Sequence, residues 1–258
     1  MMKAAISDSI IYNSHSSRYT KGEQFIHQHL LSYVVSGSLT VNDGRKDHLF
    51  QTGDFFFLQR DQLVKFDQLP PKEGIFASVT VYLDQLTLKN ISLAYNMALE
   101  KTANVAKIVR IESASLLRNY VDAILDGLEI PDPNLEKEVV FMLLTAKPEL
   151  ARVLFDFGVP GKTDLKAFML QNYHFNVSMD RFAYLTGRNL STFKRDFEYI
   201  FHISPERWIQ FQRLKEAYYQ IKEKGKTPEE IYQQVGFDSI NYFSNSFKRL
   251  FGVNPSSL

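Results

Sequence analysis

The sequence predicts an α+β fold in two parts. The first part is an antiparallel β-barrel of the jelly-roll type that carries a two-helix hairpin. The second is an all-α domain with two helix-turn-helix units joined by a long helix. Three observations predict this fold. Short β-rich runs fill the chain to about Leu83, two amphipathic stretches follow, and the last third repeats one aromatic pattern at an offset of 50 residues.

The barrel is predicted from strand-like runs that are bounded by turn residues. The runs are Ser32–Ser36, Ser38–Val41, Asp54–Leu58 and Gly74–Leu83. Turn signals separate them at Ser36-Gly37, Asn42-Asp43-Gly44 and Thr52-Gly53-Asp54. Many short strands at such spacing are typical of an antiparallel barrel. Residues 84–112 have an ambiguous pattern, and no element is predicted there.

The hairpin is predicted from apolar residues at helical spacing. They are Leu117, Val121, Ile124 and Leu128 in the first helix and Leu135, Val139, Met142 and Ala146 in the second. The segment Pro131-Asp132-Pro133 breaks the chain between the helices. Their apolar face has two interpretations, which are not exclusive: it covers the open side of the barrel, or it forms the seam of a dimer.

The all-α domain is predicted from a duplicated frame. Phe193, Phe197, Phe201 and Pro205 follow Gly187, and they recur as Phe243, Phe247, Phe251 and Pro255 after Gly236. Aromatic residues at every fourth position form a buried stripe, so the opposite face of each helix is expected to point outward. Two such helices can enter neighbouring turns of a DNA major groove. A plain helical bundle explains the stripe equally well, but it does not explain the polar and basic residues on the outward face.

Local signals place the boundaries of the domains and helices. The Gly- and Pro-containing cluster at residues 158–163 predicts domains of residues 1–157 and 158–258. Helices are predicted at Asp164–Gln171, from the cap Ser178 to Gly187, at Leu190–Phe201, and from the cap Ser204 to Gly225. Thr227-Pro228-Glu229-Glu230 predicts a capping box that begins the second unit.

Composition narrows the class of protein. Residues 160–258 hold 14 Lys and Arg against 10 Asp and Glu, whereas residues 1–159 hold 16 against 19. A basic C-terminal part suits contact with phosphate. The chain has no cysteine, which excludes disulfides and thiolate metal sites. Neither a signal peptide nor a membrane-spanning run is recognisable, so we expect a cytoplasmic protein without a membrane partner.

The outward helix faces carry the residues expected to contact DNA. They are Asn189, Ser191, Thr192, Lys194 and Arg195 in the first unit and Asn241, Tyr242, Ser244, Asn245 and Lys248 in the second. A bidentate Arg195 suits guanine, an Asn side chain suits adenine, and Lys248 is placed for phosphate. Two plainer interpretations stand beside this one. Exposed Lys and Arg are often only solvated, and Asn189 and Asn241 can serve as helix caps.

Two motifs resemble the DNA-binding domain of AraC/XylS-type transcription regulators. The first runs from Thr186 to Phe197 with Ser204-Pro205, and the second comprises Val235–Ser239, Tyr242–Ser244, Phe247–Arg249 and Phe251-Gly252. Carried over residue by residue, the resemblance implies DNA contacts at Ser191, Lys194, Arg195, Asn241, Ser244 and Asn245. One departure from the family pattern is His202, which stands where a glycine usually ends the helix.

The resemblance also implies a function. It implies a sequence-specific regulator of transcription, more often an activator than a repressor, that inserts two recognition helices into successive major grooves of double-stranded DNA. It further implies a homodimer, contact with RNA polymerase, and control by a small-molecule effector or a regulatory protein. Residues 1–157 would then be a cupin-like sensing and dimerisation domain. An adaptor that binds a protein partner through its helical region stays open as an alternative.

His27 and His29 raise the question of a metal site. Alternate residues on one strand point to one side, so two imidazoles could share a ligand. The stretch through Gly37 and Gly53-Asp54 resembles the cupin-like barrel of many AraC-type regulators, but the glutamate and third histidine of metal-binding cupins are missing. We therefore predict no metal, no cofactor and no enzyme activity. A ligand-facing or structural role is predicted for His27, His29 and Tyr33. The alternative is a cupin-type metal enzyme with a helical accessory domain.

Overall fold

The computed structural model describes residues 2–5, 10–15, 20–97, 105–112, 115–125 and 135–258. They fall into two compact units, Met1–Gly158 and Val159–Leu258, called here the N-terminal unit and the C-terminal unit. The N-terminal unit combines strands with helices, and the described C-terminal unit contains helices only, so the predicted α+β class is confirmed. None of the described helices has the length and apolar character needed to cross a membrane.

The strands of the N-terminal unit form two antiparallel sheets. They are β1 Met2–Ala5, β2 Ile10–His15, β3 Thr20–Ile26, β4 His29–Ser36, β5 Ser38–Asn42, β6 Asp47–Gln51, β7 Phe55–Leu58, β8 Gln62–Leu69, β9 Phe76–Leu83 and β10 Ile108–Ile111. One sheet has the order β1-β2-β9-β4-β7-β10 and the other the order β3-β8-β5-β6. Every pairing in both sheets is antiparallel.

The six-stranded sheet is the middle of three layers. Because successive side chains of a strand point to opposite faces, Leu30 and Val34 of β4 pack toward the four-stranded sheet, whereas Leu31 and Tyr33 pack toward helices. The two sheets share an apolar core but do not close into the predicted barrel. In the described residues, β1 and β10 are the edges of one sheet and β3 and β6 are the edges of the other.

Helices cover the outer face of the six-stranded sheet. They are α1 Gln85–Ala94, α2 Ser115–Leu125, α3 Leu135–Ala146 and α4 Ala151–Leu154, with a 3₁₀ turn at Pro148–Leu150 before α4. The predicted hairpin helices correspond to α2 and α3, while Leu128 and the break at residues 131–133 lie outside the described residues. Leu117, Val121 and Ile124 are buried in the core against the sheet. The apolar face therefore covers the sheet, which is the first of the two interpretations.

Among its described residues, the C-terminal unit has a final 3₁₀ turn at Pro255–Ser257 and six α-helices. They are α5 Leu165–Asn172, α6 Met179–Leu185, α7 Leu190–Phe201, α8 Pro205–Lys224, α9 Pro228–Ile231 and α10 Ile240–Phe251. The first helix-turn-helix is α6 with α7, and the second is α9 with α10. The long helix α8 joins them, as predicted.

Capping residues explain where these helices begin. Asp164, Ser178, Asn189 and Ser239 each accept a hydrogen bond from a backbone N–H in the first turn of the helix that follows. The predicted capping box is present, because Thr227 and Glu230 satisfy each other's backbone N–H. Asn189 is thus a helix cap, as one interpretation held.

Candidate nucleic-acid interface

Helix α7 has a buried back and a polar front. The rings of Phe193 and Phe197 are fully buried, and Phe197 packs edge-on against Trp208 of α8 with 5.6 Å between ring centroids. On the opposite side, Ser191 and Arg195 are exposed. Burial of the stripe therefore fixes which side chains of α7 face outward.

The front of α7 comprises the five residues predicted from the first unit. Asn189, Ser191 and Arg195 are exposed, and Thr192 and Lys194 are half-buried. Asn189 is partly committed to the helix, because its Oδ1 accepts a hydrogen bond of 2.8 Å from the Thr192 backbone N–H. Its side-chain NH₂ group stays available to a ligand.

Helix α10 repeats this arrangement. Phe243 and Phe247 are fully buried and pack with Leu214, Ala217 and Ile221 of α8. The front of α10 comprises the five residues predicted from the second unit. Asn241, Tyr242, Asn245 and Lys248 are exposed, and Ser244 is half-buried. Both fronts are therefore open surfaces.

Acidic groups beside α7 neutralise much of its positive charge. The Lys194 ammonium lies 3.1 Å from a Glu206 carboxylate oxygen, and the Arg188 Nε lies 3.0 Å from Asp196. Arg195 approaches Asp196 less closely, at 3.4 Å, and its side chain is 75% exposed. It is therefore the least restrained basic group on this front.

The pKa values of the two acids follow from these contacts. The hydrogen bond from Arg188 holds the pKa of Asp196 below its usual value, although burial acts in the opposite direction. Partial burial raises the pKa of Glu206, but hydrogen bonds from its own backbone N–H and from Lys194 outweigh it and lower the pKa. Both carboxylates are consequently ionised at neutral pH.

A side chain of α8 holds the second front in place. The Gln210 amide Nε2 donates to the Tyr242 hydroxyl and to Ser246 Oγ, each at 3.1 Å. Tyr242 also packs against the ring of Phe237, with centroids 5.8 Å apart. Because both contacts come from outside α10, the exposed ring of Tyr242 has a preferred position on the front.

The residues predicted for ligand binding in the N-terminal unit do not all share one strand. His27 is exposed in the connection between β3 and β4, and His29 is buried at the start of β4. The two histidines are therefore not alternate residues of one strand, because the chain turns between them. Among the described residues no group of three His, Cys, Asp or Glu side chains could hold a metal ion.

His29 and Tyr33 both have structural partners. The Nδ1 of His29 accepts a hydrogen bond of 3.1 Å from the Arg60 backbone N–H, and its ring stacks on Phe57. Burial, with the positive charge of Arg60 adding to it, lowers the pKa of His29 to about 3. The Tyr33 hydroxyl accepts from Arg118 of α2 at 3.2 Å. These contacts account for Tyr33 and for the Nδ1 side of His29, whereas the buried Nε2 of His29 has no hydrogen-bond partner among the described residues.

A cavity of about 250 Å³ lies between the two sheets. Its apolar walls come from both sheets and include Leu30, Val41, Phe56 and Val64. The Oε1 of Gln68, which lies at this cavity, is buried and has no hydrogen-bond partner among the described residues. Phe56 lines the cavity, but Phe55, Phe57 and Tyr33 point to the helical layer. His27, His29 and Tyr33 do not line it.

Comparison with known proteins adds sequence relationships to this geometry. A family model described as a helix-turn-helix domain matches residues 182–258, and one described as the ExsA N-terminal regulatory domain matches residues 29–139. The transcriptional regulator ExsA of Pseudomonas aeruginosa is 24% identical over 230 residues, covering 86% of this chain and 83% of that protein. Residues 182–258 thus match an AraC-type helix-turn-helix domain, and the relatives of the chain are AraC-family regulators.

Two further similarities cover different shares of the chain. The transcriptional activator VirF of Yersinia enterocolitica is 35% identical over 92 residues, which is 36% of this chain and 34% of that protein. The crystal structure of ToxT from Vibrio cholerae covers 97% of both chains at 15% identity with a TM-score of 0.47. Like ExsA and VirF, the chain is a DNA-binding transcription regulator, and the comparisons do not support the metal enzyme.

Sequence reasoning missed several side chains that shape the interface. Glu206 binds Lys194, and Gln210 holds Tyr242. Arg213 of α8 bonds the segment before α6 and the turn before α10. All three lie on the joining helix rather than on α7 or α10. A helical pattern shows which residues share a face, but not which neighbour that face meets. Only the position of α8 between the two units could have indicated them.

Proposed function

We propose that the chain activates transcription by inserting α7 and α10 into successive major-groove segments of one operator. Residues 158–258 would be the DNA-binding domain, and residues 1–157 a sensing and dimerisation domain. The observation that supports this most directly is the matched pair of helices, each with buried phenylalanines behind an exposed polar front. In such domains the two helices meet groove segments about one helical turn, or roughly 34 Å, apart.

The two fronts offer different groups to DNA. On α7, Arg195 carries a planar fork that suits the two acceptors of guanine, with Ser191 and Thr192 beside it. Lys194 contacts a phosphate or a guanine once it leaves Glu206. Asn189 adds a contact near the start of α7.

The front of α10 carries fewer charged groups than the front of α7 and more amide and hydroxyl groups. On α10, Asn241 and Asn245 match the donor and acceptor of adenine, and Ser244 contacts either base type. Tyr242 contributes its ring and hydroxyl at the groove wall. Lys248 is one turn further along the helix, where it contacts phosphate.

Activation is proposed from the names of relatives. VirF and RhaS, the latter from Mannheimia succiniciproducens, are both named transcriptional activators. An activator of this type would contact RNA polymerase beside its operator.

We also propose a homodimer in the cytoplasm. Because the apolar face of α2 and α3 is used against the sheet, the dimer contact would involve exposed residues such as Leu116 and Leu125.

A small effector is the partner that the N-terminal unit suits best. The volume of the cavity between the sheets is just below the usual range for ligand sites, about 300–1,000 Å³. Its walls are mostly apolar, and the unpartnered Gln68 Oε1 can accept a hydrogen bond. We therefore propose a compact apolar effector with at least one donor group. A regulatory protein remains the alternative.

The proposed function is tested by selecting bound oligonucleotides from a random pool with the full-length protein. We expect a bipartite site whose halves are centred about 10 base pairs apart. The selected site should bind at least about 1,000-fold more tightly than random DNA at physiological salt. Equal affinity for both, changing only with salt, would contradict specific reading. Sedimentation of the free and DNA-bound protein tests the dimer.

A further inference from the structure

The side chain of Arg213 joins the segment just before the first helix-turn-helix unit to the turn of the second. It lies in the middle of α8, between Trp208, which packs into the first unit, and Leu214, which packs into the second. Its Nε donates to the Tyr173 carbonyl at 2.8 Å, and one terminal nitrogen donates to the Phe175 carbonyl at 2.6 Å. Both carbonyls belong to the chain between α5 and α6.

The other terminal nitrogen of Arg213 reaches the second unit. It donates to the carbonyl of Gly236, in the turn between α9 and α10. A guanidinium is planar and rigid, so its three bonds fix two backbone segments relative to each other. A lysine ammonium cannot reproduce this, because it is a point charge without a fixed fork.

Gly236 shows how closely the α9–α10 turn approaches Arg213 and the α5–α6 connection. A Cβ added there would lie 2.7 Å from guanidinium atoms of Arg213 and 2.8 Å from the His174 carbonyl oxygen. The residue also has a φ of +95°, which side-chain-bearing residues rarely adopt. A glycine is therefore needed at this position both for the conformation of the turn and for its close contact with Arg213 and His174.

A second bridge supports the first. The amide of Asn176 donates to the Asp238 carboxylate at 2.6 Å, again from the α5–α6 connection to the α9–α10 turn. The bond is exposed, so water competes with it more than with the part-buried bonds of Arg213. Arg213 is consequently the stronger restraint on how the two turns lie relative to each other.

We propose that Arg213 is a positioning residue that sets the distance and rotational phase between α7 and α10, and with them the spacing of operator half-sites. This inference rests on the proposed function, because the half-sites are those read by the two helices. One inserted base pair moves a half-site by about 3.4 Å and turns it by about 35°. If the Arg213 guanidinium holds α7 and α10 rigidly, the two helices cannot adjust to a displaced half-site. A pair of helices that can move relative to each other can adjust.

The geometric part is tested without DNA. The chain has no cysteine, so Tyr199→Cys and Arg249→Cys introduce two unique spin-label sites at matched exposed positions of α7 and α10. Pulsed electron resonance on the full chain should give a narrow distance distribution. Arg213→Met keeps a long side chain but removes the fork, and it should broaden the distribution. Arg213→Lys should not restore the narrow distribution.

The functional part is tested with the selected operator and with versions carrying one base pair more or less between the half-sites. The unlabelled chain with Arg213 should lose about tenfold or more in affinity on insertion, since the base contacts of one helix are lost. Arg213→Met and Arg213→Lys should lose less than about threefold, with affinity for a single half-site unchanged.

Several outcomes would overturn the inference. One is unchanged spacing preference in folded variants, whether or not the distance distribution broadens. Another is loss of the folded state, measured by circular dichroism, in both Arg213→Met and Arg213→Lys, which would make the residue a requirement for folding. If the chain with Arg213 prefers no sequence at all, the proposed function fails instead, and the distance measurement still reports on the fork.

Discussion

The two recognition helices share one frame but carry their charge in different places. At equivalent positions, offset by 50, α7 has Lys194, Arg195, Glu198 and Tyr199 where α10 has Ser244, Asn245, Lys248 and Arg249. The basic pair is thus displaced by four residues, or about 6 Å along the helix axis. The buried phenylalanines tolerate no such change, because they fill a closed core.

The surroundings of the charges differ as well. Lys194 has an acidic partner in Glu206, and Asp196 serves both Arg188 and Arg195. Within the part of the chain that the structure describes, neither Lys248 nor Arg249 has an ion pair. The first helix is therefore a partly neutralised surface suited to directed contacts, and the second ends in open positive charge suited to phosphate.

Truncating one buried ring in each unit tests the shared frame and has the largest expected effect. Phe197→Ala and Phe247→Ala should each lower the free energy of unfolding of the C-terminal unit by about 3–5 kcal/mol, because each removes a fully buried ring. Urea titration followed by circular dichroism measures this. Tyr199→Ala, at an exposed ring, is the control and should cost less than about 1 kcal/mol. Clearly unequal losses for the two phenylalanines would break the equivalence.

The difference in charge placement is tested on DNA. Arg195→Ala should reduce discrimination at one base pair by about 1–3 kcal/mol, because a bidentate contact to one base is lost. Lys248→Ala should instead weaken all sequences alike and reduce the slope of log affinity against log salt by about 1. Gel-shift titrations with the selected site and its single-base variants, at two salt concentrations, measure both effects. If Arg195→Ala also weakened every sequence equally, the assigned division of roles would be wrong.

The sequence predicts features that depend on residues near one another in the chain better than contacts between distant residues. The range Leu190–Phe201 was predicted to the residue, because aromatic spacing and capping residues act within one helix. The bonds of Arg213 join residues 23 to 40 positions apart, and no periodic pattern indicates such a partner. The pattern around His27 and His29 was misinterpreted for a related reason. Alternation looks the same along one strand as across a tight turn between two strands.

Sheet organisation shows the same limit. The four predicted β-rich runs all overlap strands, since turn residues at Gly37, Gly44 and Gly53 separate them. Pairing order is a property of the whole unit, and the sequence pattern did not distinguish a closed barrel from two facing sheets. The middle sheet is buried on both faces, which hides the alternation that marks an exposed strand. Residues 84–112, left without a prediction, contain α1 and β10.

The C-terminal ends of α7 and α10 provide a smaller test. His202 and Gly252 occupy equivalent positions, and both adopt left-handed backbone conformations, with φ of 58° and 77°. That conformation costs a residue with a Cβ about 1–2 kcal/mol. His202→Gly should therefore stabilise the unit by about 1 kcal/mol, allowing for the greater freedom of glycine in the unfolded chain.

The matched substitution is Gly252→Ala. A Cβ there meets no atom within 4 Å, so only the backbone conformation opposes it, and a loss of about 1 kcal/mol is expected. Thermal unfolding of both variants and the unaltered chain measures the pair. A higher unfolding temperature for His202→Gly and a lower one for Gly252→Ala would support the equivalence of the C-terminal ends of α7 and α10. A destabilising His202→Gly would instead mean that the imidazole makes a contact that outweighs its backbone strain.

The smallest expected effect concerns Glu206, which competes with DNA phosphate for Lys194. Glu206→Gln removes the competing charge and should raise affinity for random DNA by about two- to fivefold, since an exposed ion pair is worth about 0–1 kcal/mol. Glu223→Gln makes the same change of net charge on α8, about 25 Å along the helix axis, and is the control. Gel-shift titration at low salt measures both variants. An equal gain from the two would show that net charge alone is responsible. No gain from either would mean that Lys194 stays away from phosphate, and the first front would then bind DNA through Arg195 and its polar neighbours.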